Sequence, residues 1–203
     1  MHVGKNIDFF EKNQLTQNMN IFFLSLDPKE SAEMHLDKHV VKMILEYCQL
    51  LSTAHRYLDG VQIIELSPKN RKIKRWKLND ERDEKLYKAT HVNHPSAVWC
   101  RQGTENYKWL HSLLVCVCTE YTFRYGKVHK SQRDGIVDML SSTPKSIPIK
   151  LFSPPTLAMP DECKIDGDAI ASYQKYYNEK KQHIASWKKR NTPTWFQKAA
   201  FIV

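Results

Sequence analysis

From Lys29 to Tyr57 apolar residues recur at helical spacing over about eight turns. Leu36, Val40, Met43, Ile44, Tyr47, Leu50 and Leu51 fall on one side, and Val41, Leu45 and Cys48 on another. A helix that is apolar on two faces belongs at the centre of a fold. Ahead of it, Asn20–Leu26 (NIFFLSL) reads as a short strand, and Asp27-Pro28 as a turn or helix cap. A second long helix is predicted over about 96–125, entered through the loop Thr90–Trp99 with Pro95 at the first helical position. Trp99, Tyr107, Trp109, Leu110, Leu113, Leu114 and Val117 put much of that helix in the core. A short helix is expected over 133–140, irregular proline-rich chain over 144–160, and a last helix over about 168–188. The charge-rich stretch 61–90 reads as an insert forming a hairpin or loop. The pattern therefore predicts a mainly α fold: a compact single domain of long helices over 19–203, with a short N-terminal strand and an extension at 1–18.

One part of the first helix breaks its own pattern. His35, His39, Lys42 and Glu46 stand at offsets 0, 4, 7 and 11. At roughly 100° per residue they form one polar stripe about 60° wide. A solvated face, a metal site and an active site all fit such a stripe. The apolar flanks argue against a solvated face, because burying the Lys42–Glu46 pair would cost several kcal/mol per ion. A concave polar site explains the composition better. There a desolvated lysine forms a Schiff base, and a carboxylate or histidine moves protons or stabilises a cation. His35 and His39 have the spacing of two metal ligands, but the third would have to come from His91 or His94 and no HExxH occurs. No metal is expected. Asn93 and His94 open the second long helix, either as caps or as groups beside a phosphate-binding helix start.

Composition adds a partner. The 203 residues are 41% hydrophobic and 26% charged, a globular balance, and the net charge of +9 points to a polyanion. Six basic residues and Trp76 lie between Lys69 and Lys77, a mixture suited to phosphate contact and base stacking. Lys72, Arg75, Trp76, Arg101, Arg124, Lys127, Lys130, Lys188, Lys189, Arg190 and Trp195 are the candidate nucleic-acid contacts. Five cysteines without a CxxC fit an intracellular, reducing compartment better than a disulfide framework. No apolar run approaches the length of a membrane span. A monomer is expected.

In order along the chain, these pieces resemble the pyrimidine-dimer DNA glycosylase family, and most nearly its phage and large-virus members. The resemblance rests on MNIFFLSL followed by SAEMHL, on HVNHPSAVW before a long helix ending in Phe123-Arg124-Tyr125-Gly126, and on the tail Pro193-Thr194-Trp195-Phe196. It covers most of 19–203 outside the insert. It implies an enzyme that excises damaged or modified pyrimidines from double-stranded DNA, with abasic-site lyase activity and no metal or organic cofactor. In that family an N-terminal amine attacks the sugar C1′ with help from a helix glutamate. This chain differs twice: Met19 follows an 18-residue extension, and Lys42 stands where the glutamate is due. Glu46 one turn later and the Lys42 amine are the candidate replacements. A non-catalytic DNA-binding protein on this scaffold, and an enzyme of viral nucleotide or modified-base metabolism, are the alternatives.

Overall fold

The computed structural model describes residues 19–198; the predicted extension at 1–18 and residues 199–203 lie outside that range. The chain is mainly α. Eight α-helices occur among the described residues: α1 (Pro28–Met34), α2 (Asp37–Asp59), α3 (Arg82–Lys85), α4 (Pro95–Arg101), α5 (Thr104–Tyr125), α6 (Lys130–Arg133), α7 (Ile136–Met139) and α8 (Ala169–Lys180). Strands β1 (Val61–Leu66) and β2 (Lys72–Lys77) form one antiparallel hairpin between α2 and α3. The long helices α2 and α5 pack on each other, with α1 against α5 and α4 against α2. Their shared core includes Leu36, Val40, Met43, Tyr47, Leu51, Trp99, Leu110 and Leu114. No helix among the described residues is long and apolar enough to cross a membrane.

Both long helices predicted from the periodicity are interrupted. The first breaks at His35, whose backbone is extended (φ −63°, ψ 137°), with Leu36 extended after it. The apolar period runs straight through this point, so local pattern does not cause the break. Tertiary bonds do. The buried Arg124 guanidinium donates to the carbonyls of Glu33 and His35, both at 2.9 Å, taking up acceptors that a continuous helix would use internally. The second helix breaks at Gln102-Gly103. There the chain around Pro148–Lys150 passes so close that a Cβ on Gly103 would meet the Lys150 Cβ at 2.7 Å. Thr104 and Glu105 donate their amides to Pro148 and Lys150 of that segment.

The predicted strand at Asn20–Leu26 is extended but joins no ladder among the described residues. Its amides are taken by side chains instead. The Phe22 amide donates to the Tyr47 hydroxyl at 3.3 Å, and the Leu24 amide to Ser31 Oγ at 3.2 Å. Met19–Leu24 is buried throughout, so it acts as a core cord threaded beside α2. The last long helix is shorter than its pattern suggested, ending at Lys180 before a 3-10 turn at Gln182–Ile184.

Candidate functional site

The break at His35 splits the predicted polar stripe into two parts with different surroundings. His35 is sealed in the core, with Nδ1 at 2.6 Å from the Ser31 carbonyl oxygen and Nε2 at 2.9 Å from the Tyr47 hydroxyl. Burial pushes its pKa down to about 4, so it is neutral. His39 is also buried, bonded through Nδ1 to the Tyr177 hydroxyl at 2.7 Å and stacked on Phe22 with centroids 4.0 Å apart. Burial again holds its pKa well below the ordinary histidine value. These two rings, predicted as catalytic, lock the cord to α2 and α8 instead. His35 lies outside α2, so the pair does not share one regular helical face. No group of three potential metal-binding side chains occurs among the described residues.

Lys42 and Glu46 are placed differently. The Lys42 ammonium sits 2.9 Å from Glu46 Oε1, on a side chain 58% exposed against 10% for the glutamate. Glu46 Oε2 is buried without a hydrogen-bond partner among the described residues. Burial raises the Glu46 pKa, against the opposing pull of Lys42, the Asn20 backbone N–H and the nearby His91. The result is a carboxyl group with Oε1 held by Lys42 and Oε2 buried without a hydrogen bond of good geometry among the described residues, at the edge of the core beside the cord. The Ser96 hydroxyl approaches the Met19 carbonyl oxygen at 3.5 Å, which brings the start of α4 to the same end of the cord.

His91, considered in the sequence only as a metal ligand, is the residue of the 90s loop whose charge reaches Glu46. Its backbone has φ +48°, an uncommon conformation for a side chain of this size. Its Nδ1 lies 2.7 Å from Thr90 Oγ1. Thr53 fixes the same loop from α2, its hydroxyl facing the Thr90 carbonyl and amide at 3.3 and 3.2 Å. His94 caps α4, accepting from the Ser96 amide at 3.2 Å, and Asn93 is exposed beside it. The sequence signal for this loop was its pair of histidines around Asn93; the positive φ was not readable.

The predicted nucleic-acid contacts also divide. Arg124 is a core residue, completely buried, bonded to Glu120 at 2.6 Å and Asp37 at 2.9 Å besides the two carbonyls already described. It cannot reach a phosphate. Arg190 is tied to Glu120 at 2.9 Å and Glu33 at 3.2 Å, and Lys189 donates to the Phe123 carbonyl at 2.9 Å. Lys188 is exposed, with its ammonium 5.4 Å from the Tyr125 ring centroid. Lys127 is exposed, and the exposed Lys130 pairs with Asp134. Trp195 is half-buried, edge-on to Tyr177 at 5.9 Å, and lines an open depression with Gln174, Asn178, Gln182 and Lys198. Its Nε1 has no hydrogen-bond partner among the described residues.

Lys72, Arg75 and Trp76 lie on β2. Trp76 packs on Tyr57 of α2 at 5.7 Å, and the Arg101 guanidinium covers the same tyrosine at 4.1 Å. Arg101 has no carboxylate partner among the described residues, and its NH1 nitrogen is buried with no acceptor. Arg56, Arg75, Arg82, Arg124 and Arg190 all pair with carboxylates. Compared with family models, with curated proteins and with solved structures, the chain matches none of them.

Proposed function

We propose that the protein acts on DNA as a glycosylase with abasic-site lyase activity, using Glu46 and Lys42. The observation that carries this reading is the half-satisfied Glu46 carboxyl with its raised pKa, held 2.9 Å from an amine that solvent can reach. Folding does not favour an open carboxyl oxygen at the edge of a core, so its retention points to chemistry. In this reading a proton passes from Lys42 Nζ to Glu46 Oε1 across their 2.9 Å contact, to a carboxyl group whose proton affinity burial has raised. The freed amine attacks the sugar C1′ as the glycosidic C–N bond breaks, and the acid returns its proton to the departing base. The sugar ring then opens as the C1′–O4′ bond breaks and O4′ takes a proton from the attached nitrogen, and the Schiff base so formed loses its C2′ proton and expels the 3′ phosphate. The resemblance to the pyrimidine-dimer glycosylases supplies the substrate class, a damaged or modified pyrimidine. The exposed lysines and Arg101 supply the cationic surface for its backbone.

Borohydride trapping on ultraviolet-irradiated and abasic duplex tests this directly. A covalent adduct in the wild type that disappears in Lys42→Ala and is much reduced in Glu46→Gln is expected. Neither adduct nor strand cleavage on any damaged duplex would refute the enzyme. A non-catalytic DNA-binding protein is the second reading, favoured by the Lys42–Glu46 ion pair, which occupies the amine in the unliganded state.

A further inference from the structure

We infer that the β1–β2 hairpin is a DNA-binding ribbon with a single working face, formed by Gln62, Ile64, Leu66, Lys72, Lys74 and Trp76, that seats in a groove of the duplex. This rests on the DNA reading above and specifies which surface meets the substrate. The register pairs Gln62 with Trp76, Ile64 with Lys74 and Leu66 with Lys72. Cross-strand partners project to the same side of a sheet, and alternate residues along each strand join them there.

The two faces differ in kind. On the opposite face Ile63, Ile73 and Arg75 are half-buried and Glu65 neutralises Arg75 at 3.7 Å, so an exposed aliphatic faces a lysine there only at the hairpin's base, where Val61 pairs with Lys77. The working face carries no acidic residue, and its aliphatic side chains stand in solvent, Ile64 at 56% exposure and Leu66 at 64%. Each exposed aliphatic is directly opposite a lysine. Apolar side chains this exposed gain from being covered, and the lysines beside them select a polyanion as the cover. A two-stranded ribbon fits the width of a duplex groove, where lysines reach phosphates and aliphatics contact thymine methyls or sugars.

The hairpin is also fixed at its base, as a recognition element needs to be, since an isolated two-stranded hairpin is marginal in water. Arg56 donates to the Trp76 carbonyl at 3.0 Å, and the Trp76 ring packs on Tyr57. From there the face continues onto Arg101, which is half-buried against the Tyr57 ring and, among the described residues, has no carboxylate partner and keeps one buried guanidinium nitrogen without an acceptor. Such a planar fork matches a phosphate. This continuity from ribbon to stacked rings to arginine favours DNA, whose phosphates stand at fixed spacing along a groove, over an anionic membrane, whose phosphates diffuse laterally and give a fixed guanidinium and its aromatic stack no register.

The test uses the full chain and a 25-base-pair duplex, with affinity measured across a range of salt. Lys72→Ala/Lys74→Ala and Arg75→Ala/Lys77→Ala each remove two charges from the same hairpin, one pair from each face. The working-face pair is expected to weaken binding at least tenfold and to flatten the slope of log affinity against log salt by about two. The opposite-face pair should cost threefold or less. Ile64→Ser/Leu66→Ser should weaken binding about fivefold with the slope unchanged. Equal losses from the two charge pairs would overturn the ribbon while leaving the DNA reading intact. Absence of duplex binding by the wild type would overturn both. If Ile64→Ser/Leu66→Ser abolishes binding to phosphatidylserine vesicles but leaves duplex affinity unchanged, the face belongs to a membrane and the proposal falls.

Discussion

Two polar regions flank the first turns of α2, and they treat their buried groups in opposite ways. At the junction of α1 and α2, the Arg124 guanidinium meets Glu120, Asp37 and two carbonyls, and both nitrogens of His35 are bonded. A few residues on, Glu46 keeps an oxygen and, beyond the far end of the helix, Arg101 keeps a nitrogen without a hydrogen-bond partner among the described residues. The junction stabilises: each group there has the complement that its burial requires. The Glu46–Arg101 side does not optimise the folded state, and this contrast is what separates scaffold from candidate site. Residue type alone does not: each region holds a histidine, an arginine and a glutamate.

Acidification gives the largest effect expected of the scaffold. His35 and His55 have pKa values lowered to about 4 by burial, and His39 lies well below 6.5. Each binds fewer protons folded than unfolded, so their contribution is complete above about pH 6.5 and is lost as pH falls toward the folded values. Together they remove on the order of 4 kcal/mol per pH unit in that window. Glu46, with a raised pKa, acts in the opposite sense but is one group against three. Urea melts between pH 7 and 4 should show this decline, and a flat profile would mean the rings are not held neutral.

Substituting methionine at the two arginines comes next. Arg124→Met takes a buried donor from Glu120, Asp37 and two carbonyls and should cost about 3–5 kcal/mol in denaturant unfolding. Arg101→Met, which breaks no ion pair, should stay within about 1 kcal/mol of wild type. Similar losses at both positions would erase the distinction between the regions. Glu46→Gln is expected to leave stability unchanged or raise it by up to about 1 kcal/mol while the trapped adduct falls, the signature of a residue kept for function. The smallest effect belongs to Lys127→Ala, an exposed site where stability should move by less than about 0.5 kcal/mol.

Much of the architecture was readable in the sequence because periodicity reports which faces are buried. The paired apolar faces of α2 and the Trp–Leu face of α5 gave the two central helices, and the 61–90 insert holds the hairpin. The helix breaks were not readable in the same way. Gly103 is a local signal, but its reason, the approach of Lys150, comes from residues far along the chain. His35 carries no local signal at all, since the break depends on Arg124 from 89 positions away. That displacement took His35 out of the expected site, while His39, still on α2, is tied up by Tyr177 and Phe22. Arg124 itself did leave a trace: Glu120 precedes it by four residues on the same helix, the spacing of a paired ion, whereas Glu105, four residues after Arg101, lies beyond the break at Gly103 and pairs with Lys108 instead. Charge runs were a poor guide because they ignore such partners.

The cord beside Glu46 is held from remote parts of the chain. Asn20 donates to the Ala158 carbonyl at 2.9 Å and accepts from the Tyr173 hydroxyl at 2.7 Å, while His39 meets Tyr177. These clasps span 138 to 153 positions in sequence. During synthesis, the residues around Glu46 emerge early but have no fixed wall until α8 has left the ribosome and folded back. The edge around Glu46 is therefore among the last features of the molecule to form, and a ribosome stalled before Tyr173 would release a chain with its earlier helices in place and the cord unclasped.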